Sequence, residues 1–395
     1  MKKYRFATLT ACIALSAAMA GQGTEAFLRQ VAVGNPVLKH YESILEARRV
    51  EASTGNNPGE FTAAFGYFPG TPDDIGLKRT FEASQAFDFP TTYILRGKLN
   101  RETFALAETE FGAGRVATLL EARLLAYEYI ALRKKMAILE EKQLGYDSLR
   151  MAWELLLDEG AVTILDYNRL LLEVAGARSE TASGEAALRA LVAKLEYISG
   201  GGAALLGEAD YDIFAMSSLD NLIRSKRESH PGFLKPEKEY LLAVREVDIS
   251  RAANLPGFEI GFGSEIIAGE HYTGPKVGVS VPVWTNRNRV KLSQARVTAA
   301  ERGRDAAIDL LVAEAGALYE NCLSAERNFT AMSAEMENAG DTGLLIRALS
   351  EKEITTTEFF SFMEAVYEAR LTTVQLELEY MTSKARLNDH ALVSF

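Results

Sequence analysis

The strongest constraint on this chain is a series of apolar residues that alternate in steps of three and four over many turns of helix. In the second half of the sequence the series comprises Ile308, Leu311, Ala315, Leu318, Cys322, Ala325, Phe329 and Met332. Such steps are typical of the seam of a coiled coil, whereas a helix on the surface of a globular domain buries a broader stripe. Helices that pack lengthwise on other helices must therefore dominate the fold.

Two further segments carry the same seam. Its members are Tyr129, Leu132, Met136, Leu139, Gln143, Tyr146, Arg150 and Trp153 in the first half, and Tyr367, Leu371, Val374, Leu378 and Met381 near the end. Uninterrupted helical pattern covers residues 90–158 and 286–349. At 1.5 Å per residue, each predicted helix is roughly 100 Å long.

Small residues lie on the face opposite the seam. They include Ala299, Ala306, Ala313 and Ala317. Their size would allow a second helix to approach to about 8–10 Å, so each long helix could have neighbours on both sides, as the wall of a tube requires. From the heptads alone, an antiparallel coiled-coil rod explains the pattern equally well.

The chain is built from two copies of one plan, at an offset of 192 residues. The aligned positions include 87–90 with 279–282 and 177–178 with 369–370. Each copy opens with a short helix, predicted to begin after Pro36 and after Pro236, and continues through strand-like runs into a long helix. A period near 190 residues indicates duplication rather than a solenoid, whose repeats run about 20 to 50 residues.

The strand-like runs alternate apolar with small or polar residues. They are predicted at 61–68 and 77–89 in the first repeat, and at 258–266 and 276–283 in the second. One face of the last run consists of Val277, Val279, Val281 and Val283. Membrane β-barrels use such alternation, and so does any half-buried sheet, so this pattern alone leaves both open.

The amino terminus has the organisation of a secretion signal. Basic residues in the first five positions precede a mostly apolar stretch at 6–19, and the small residues Ala18 and Ala20 fit a signal-peptidase site. A signal peptide is therefore predicted at residues 1–20. A rival interpretation is a lipoprotein box that would place a lipid on Cys12.

Any membrane crossing by the mature chain is expected to use strands, because no segment after the signal reaches 18 consecutive apolar residues. Four strands cannot close a barrel, and an open sheet edge is not tolerated in lipid. Three copies of a four-stranded contribution would give twelve strands, which lies within the size range of closed membrane barrels.

Composition and motifs argue against several functional classes. The net charge is −11, and 54 acidic residues outnumber 43 basic ones along the chain, whereas nucleic-acid binding needs clustered Lys and Arg. No HExxH, GxSxG or P-loop spacing occurs, and the four histidines are scattered. We therefore expect no enzyme, no cofactor and no metal site, and we expect Cys322 to be a core residue.

A turn motif recurs at the repeat offset. It is Leu157, Gly160, Thr163 and Asp166 in the first repeat and Leu349, Lys352, Thr355 and Glu358 in the second. Glycine can end a helix, threonine can cap the next, and an acidic residue is favoured in the first turn by the helix dipole. Thr355 and Glu358 also have the spacing of a capping box.

These features together resemble the TolC-like outer-membrane efflux proteins over essentially the whole mature chain. The resemblance implies a mostly α-helical fold with a small β part, in which a trimeric 12-stranded membrane β-barrel continues into a periplasmic α-helical barrel. It divides the chain into a first repeat at 21–198, an inter-repeat linker and equatorial segment at 199–234, and a second repeat at 235–395. The second turn departs from the family pattern, because Lys352 replaces the preferred glycine.

The resemblance also implies a function. The chain would be a homotrimeric passive exit duct in the outer membrane of a Gram-negative bacterium, extending into the periplasm and in contact with outer-membrane lipid. A periplasmic adaptor would dock at the helical turns containing Gly160, Thr163, Lys352 and Thr355. An inner-membrane pump of the resistance-nodulation-division type would expel small molecules or metal cations through it.

Two residues are candidates for a periplasmic gate. Three copies of Glu358, together with Asp166, would gather into an acidic ring at the narrow end of the tube. Such rings attract cations and resist closure while ionised. Helix capping explains the same residues without a gate, and the two roles are compatible.

Two alternatives remain at this point. A periplasmic coiled-coil adaptor would also have long hairpins, but it should contain a lipoyl-like or barrel domain between them and needs no duplication. A structural scaffold would keep the heptads, but its strands would lack a lipid-facing band.

Overall fold

A computed structural model describes residues 22–72, 75–201, 206–207, 209–339 and 342–395. The predicted signal peptide at 1–20 and the lipidation candidate Cys12 lie outside the described residues. The elements of the first repeat are α1 (Gln22–Gly34), α2 (Pro36–Ser53), β1 (Phe61–Pro69), β2 (Leu77–Phe87), α3 (Pro90–Asp158) and α4 (Ile164–Ser199).

The second half of the chain follows the same order. Its elements are α5 (Leu219–Ser229), α6 (Pro231–Ala252), β3 (Gly257–Ile267), β4 (Glu270–Ser280), α7 (Arg289–Ala339), α8 (Thr342–Ser350), α9 (Thr356–Leu387) and a 3-10 helix (Asp389–Ser394). Most of the chain is thus helical, with one small sheet. No helix in the described part is long and apolar enough to cross a membrane.

The chain divides into two compact units, and each unit draws on both repeats. One contains the described residues up to His40, Gly114–Lys226 and Val312–Phe395. The other contains Tyr41–Ala113 and Arg227–Leu311. The sequence repeat is therefore not a compact unit by itself, because its long helix contributes residues to both.

The sheet belongs to the second of these units. Its four strands are antiparallel in the order β1-β2-β3-β4. Phe65 pairs with Phe81 on β2, and Ile260 on β3 pairs with Gln85 on β2 and with Val277 on β4. The pairing of β2 with β3 joins the two repeats, and β1 and β4 each have one edge without a strand partner in the described part of this chain.

The last strand differs from its predicted position. The sequence pattern placed it at 276–283, but β4 begins at Glu270 and ends at Ser280. Ala268 and Gly269 have φ values of 51° and 94° and turn the chain directly into β4. The polar residues that follow this turn gave no hydrophobic signal, and the strand ends shortly before Pro282, which has no N–H to donate to a ladder.

Two helices also differ from expectation. The opening helix of the second repeat starts at Pro231 rather than after Pro236, because His230 caps it by accepting a hydrogen bond from the Gly232 N–H at Nδ1. The segment predicted as one helix at 286–349 contains α7 and α8, and residues 340–341 lie outside the described part.

The predicted coiled-coil seam is a buried core in the unit that contains Cys322. This residue has no exposed surface and packs in a cluster with Leu222, Tyr380 and Leu387. The seam residues Leu318, Ala325 and Phe329 pack against the same cluster. Cys322 is thus the core residue that its place on the seam predicts.

The end of α4 shows why the linker begins with glycine. Gly200 has a φ of 65°, and the N–H of Gly201 donates to the carbonyl oxygen of Glu196 at 2.9 Å. A Cβ atom at Gly200 would lie 2.6 Å from the carbonyl oxygen of Gly34. Only glycine satisfies both the left-handed backbone and this close approach.

Candidate functional site: two helical turns and one sheet face

The turn between α3 and α4 is a Schellman motif. The Gly160 N–H donates to the Leu157 carbonyl at 3.0 Å, and the Ala161 N–H donates to the Leu156 carbonyl at 2.8 Å. Gly160 has a φ of 69°, in the left-handed region that glycine enters without steric cost. These bonds satisfy carbonyl groups that the end of α3 would otherwise leave without partners.

Thr163 then starts α4. Its backbone is extended, and its hydroxyl oxygen accepts a hydrogen bond from the Asp166 N–H at 3.2 Å. The same hydroxyl donates to the Asp166 carboxylate at 2.6 Å. Asp166 is therefore held in the first turn of α4, where the helix dipole favours an anion.

The second turn has the same backbone although its sequence differs. The Lys352 N–H donates to the Leu349 carbonyl at 3.1 Å, and the Glu353 N–H donates to the Ala348 carbonyl at 2.9 Å. Lys352 has a φ of 60°. A lysine thus adopts the left-handed conformation that glycine adopts at position 160, at a cost of roughly 1–2 kcal/mol.

Thr355 and Glu358 form the capping box that their spacing predicts. The Thr355 hydroxyl oxygen accepts from the Glu358 N–H at 3.2 Å. The Glu358 carboxylate accepts from the Thr355 N–H and from the Thr355 hydroxyl, each at 2.8 Å. These two hydrogen bonds lower the pKa of Glu358, so its exposed carboxylate is charged near neutral pH.

The two turns line one cavity of about 680 Å³. Asp166, Lys352 and Thr355 contribute to its wall, whereas Gly160, Thr163 and Glu358 do not. The apolar part of the wall includes Trp153, Leu156, Val162, Leu349, Ile354 and Phe359. The duplicated turns therefore form a single concave surface with both apolar and polar lining residues.

An aromatic cluster supports this surface. Phe360 makes edge contacts with Tyr146 and Trp153, with ring centroids 6.0 Å apart in each pair. Tyr367 makes an edge contact with Tyr146 at 6.4 Å. Three of the four aromatic residues were on predicted seams, but Phe360 was missed, although Phe359 and Phe360 directly follow the capping-box glutamate in sequence.

The two faces of the sheet differ sharply. We call the face formed by odd-numbered residues of β1, β2 and β4 and even-numbered residues of β3 the apolar face. Six of its large residues are between 44% and 74% exposed: Phe61, Phe65, Phe81, Ile260, Phe262 and Val277. Aromatic and aliphatic side chains on an exposed face require a cover that the described part of this chain does not supply.

The opposite face, which we call the polar face, carries charges. Lys276 pairs with Glu82, and Lys78 pairs with Glu265, with nitrogen–oxygen distances of 3.1 Å in both pairs. Five glycines of β3 and β4 share this face, where they add no side-chain bulk: Gly257, Gly261, Gly263, Gly274 and Gly278. A sheet with one apolar and one charged face can separate lipid from water.

Solved structures with the same architecture are known. A membrane protein from Pseudomonas aeruginosa superposes with a TM-score of 0.78 at 14% identity, covering 93% of each chain. CusC superposes with a TM-score of 0.76 at 13% identity, covering 94% of this chain and 92% of CusC. The outer-membrane protein VceC from Vibrio cholerae has a TM-score of 0.74 at 12% identity, with 93% and 95% covered.

The fold is that of the TolC-like outer-membrane efflux channels. No protein-family model and no curated protein matches the sequence itself. The three solved structures above share this fold with the chain at only 12–14% identity. Among these structures, CusC forms a transmembrane channel.

Within this TolC-like fold the candidate residues occupy two places. Asp166, Lys352 and Thr355 meet at the cavity in one compact unit, and Val277 and Val279 lie on the apolar face of the sheet in the other. Among the described residues, no group of three His, Cys, Asp or Glu side chains is placed to hold a metal ion.

Proposed function

We propose that this protein is the outer-membrane channel of a tripartite efflux system, a homotrimer in which each chain contributes four strands to a 12-stranded barrel. The observation that carries the proposal is the sheet. It exposes an apolar face, it has a charged opposite face, and both of its edge strands have an open edge within the described chain.

Strand length and edge chemistry support a barrel wall. The strands have 9, 11, 11 and 11 residues, and a tilted strand needs about 9–11 residues to cross a bilayer. Open edges are not tolerated in lipid, so β1 of one copy would pair with β4 of the next until the barrel closes. The charged face would then line a water-filled lumen.

The long helices would continue this barrel as an α-helical tunnel in the periplasm of a Gram-negative bacterium. The cavity shared by the two turns is the proposed docking site for a periplasmic adaptor protein. The backbone of these turns is shaped by Gly160, Thr163, Lys352 and Thr355. No nucleotide-binding motif occurs in the sequence. The energy for transport would therefore come from another protein, and the resemblance to TolC-like channels implies an inner-membrane pump of the resistance-nodulation-division type. The channel would be a passive exit for small molecules or metal cations.

Glu358 and Asp166 are the proposed gate residues. Three copies of each would place carboxylates in a ring at the periplasmic end. The lowered pKa of Glu358 supports this role, because ionised carboxylates repel one another and attract cations. Helix capping by Glu358 is compatible with a role in the gate, since the Glu358 carboxylate remains exposed on the surface of α9.

The test is the state of the purified full-length chain. The channel should fractionate with the outer membrane, require detergent, and give the mass of three chains by native mass spectrometry. A structural scaffold or an adaptor would instead remain soluble without detergent. A detergent-independent monomer contradicts the proposal.

A further inference from the structure

Two basic residues interrupt the apolar face of the sheet, and they lie in one row across the strands. Tyr67 on β1 pairs with Arg79 on β2, Arg79 pairs with Ile266 on β3, and Ile266 pairs with His271 on β4. We call these four residues the basic row. All four side chains point to the apolar face, because directly paired residues share a face.

The placement of these charges is selective. Arg79 and His271 are the only acidic or basic residues of the apolar face within the four strands. The polar face of the same strands carries six such residues: Lys78, Glu82, Glu259, Glu265, Glu270 and Lys276. Both basic residues of the apolar face thus lie in one row.

The basic row lies near the hairpin end of the sheet. Arg79 is two residues after the start of β2, and His271 is one residue after the start of β4. From the basic row toward the other end of β2, the apolar face has no charged residue between Phe81 and Phe87. This segment is roughly 20 Å long at 3.3 Å per residue. In the proposed barrel, this uncharged band would sit in the hydrocarbon layer and the basic row at its surface.

Energetics favour that position over any other on the lipid-facing wall. An arginine facing lipid costs about 2–4 kcal/mol at the middle of the bilayer and about 0–1 kcal/mol near the interface. The guanidinium of Arg79 stacks over the ring of Tyr67 at 5.9 Å from its centroid, and tyrosine is typical of the interfacial aromatic girdle.

Arg79 is also available to a ligand. The lysines of the polar face are engaged by glutamates, as Lys78 is by Glu265. Within the part of the chain that the structure covers, no ion pair is formed by Arg79, and its side chain is exposed. A planar guanidinium matches a phosphate through two parallel hydrogen bonds, and the His271 ring can donate a further one.

The geometry points to a binding site for the phosphate of an anionic lipid headgroup, formed by Tyr67, Arg79 and His271 on the outside of the barrel. The inference rests on the proposed function, because it requires the apolar face to contact lipid. It adds a ligand class and a location: the site lies in the leaflet at the hairpin end, away from the helices.

The experiment compares lipid retention by native mass spectrometry, using the full-length protein in detergent with added phosphatidylglycerol or phosphatidylcholine. The wild type should retain several-fold more phosphatidylglycerol than phosphatidylcholine. Arg79→Gln should reduce this preference, and combining it with His271→Gln should abolish it. Lys78→Gln is the matched control, since it removes the same charge from the adjacent residue on the opposite face and should keep the preference.

Three results would overturn the inference: Arg79→Gln retains the wild-type preference, Lys78→Gln loses it equally, or millimolar inorganic phosphate erases it, which would indicate a site for free phosphate. The same spectra report the number of chains. A trimer without lipid preference overturns this inference alone, whereas a monomer that needs no detergent overturns the proposed function as well.

Discussion

Arg370 on α9 and Glu141 on α3 are joined by two parallel hydrogen bonds, from Nη1 to Oε1 at 2.7 Å and from Nη2 to Oε2 at 2.8 Å. The aligned residue of the first repeat, Arg178 on α4, donates to Asp147 at 2.6 Å. Asp147 also lies on α3. Both copies of the repeated arginine therefore bind a carboxylate on α3. Arg178 does so within the first repeat, and Arg370 does so from the second repeat.

Replacing Arg370 with glutamine should destabilise the protein by about 0.5–1 kcal/mol, because both partners are partly exposed and screened by solvent. The hydrogen bonds from Arg370 lower the pKa of Glu141. Their contribution is therefore present above the ordinary pKa of glutamate and is lost as the pH falls through the lowered value. Thermal unfolding in detergent should separate the two proteins at pH ~7, and by less at pH ~3.

Arg189→Gln is the control for this experiment. Arg189 pairs with Glu185 on the same helix, and its side chain is 71% exposed. We expect no measurable change in its unfolding temperature. If the unfolding temperatures of the wild type and Arg370→Gln differ by the same amount at both pH values, the assigned role of the Glu141 carboxylate is contradicted.

Substitutions at the equivalent positions of the two turns should have opposite effects on stability. Lys352→Gly should stabilise the protein by up to about 1 kcal/mol, because it relieves the left-handed strain, although glycine also gains freedom in the unfolded chain. Gly160→Ala should destabilise it by about 1 kcal/mol. Among the described residues beyond its chain neighbours, no atom lies within 4 Å of the place that an alanine methyl group would take at Gly160, so the loss would come from backbone conformation alone. The measurement is the unfolding temperature of each variant. A shift in the same direction for both variants would contradict this account.

Glu358→Gln separates capping from charge. Glutamine keeps the capping-box geometry but cannot ionise, so stability should change little while single-channel conductance in planar bilayers changes. Wild-type conductance should depend on pH as the pH falls through the lowered pKa of Glu358, and the variant should lose that dependence. Glu368→Gln, at an exposed position on the same helix, is the control. Identical single-channel conductance traces for the wild type and Glu358→Gln would mean that Glu358 acts only as a helix cap.

Cys322 should resist alkylation in the folded protein. It has no exposed surface, and burial raises the pKa of its thiol, which lowers the fraction of reactive thiolate. Iodoacetamide should label it only after unfolding, as measured by peptide mass spectrometry. An exposed cysteine introduced by Ser361→Cys should react in the native state. Rapid native labelling of Cys322 would contradict the packing of the α7 seam.

Local sequence signals predicted much of this architecture. The helical pattern at 90–158 corresponds to α3, and the threonine-x-x-glutamate spacing predicted the capping box at Thr355. Long-range relationships were not predictable in this way. The pairing of β2 with β3 depends on residues almost two hundred positions apart, and no local pattern specifies it.

The site was only partly predictable for the same reason. The residue type of Lys352 does not predict a left-handed backbone, and only its alignment with Gly160 indicated one. The hydrogen bonds of the turn hold Lys352 in a conformation that lysine disfavours. The cavity required both turns to meet, which depends on the packing of Tyr146, Trp153 and Phe360. Tyr146 and Trp153 lie on the predicted seam of α3, whereas Phe360 lies on α9 and was not predicted.

The central claim is that β1 of one copy pairs with β4 of the next, and disulfide cross-linking tests it directly. In a Cys322→Ala background, Thr62→Cys on β1 is combined in turn with Gly274→Cys, Lys276→Cys and Gly278→Cys on β4. Within one chain these strands are three positions apart in the sheet, roughly 14 Å, which is too far for a disulfide. We predict that at least one pair gives a ladder of cross-linked chains in native membranes that ends at three. Failure of all three pairs to cross-link, or a ladder that ends at two or continues past three, would contradict the account.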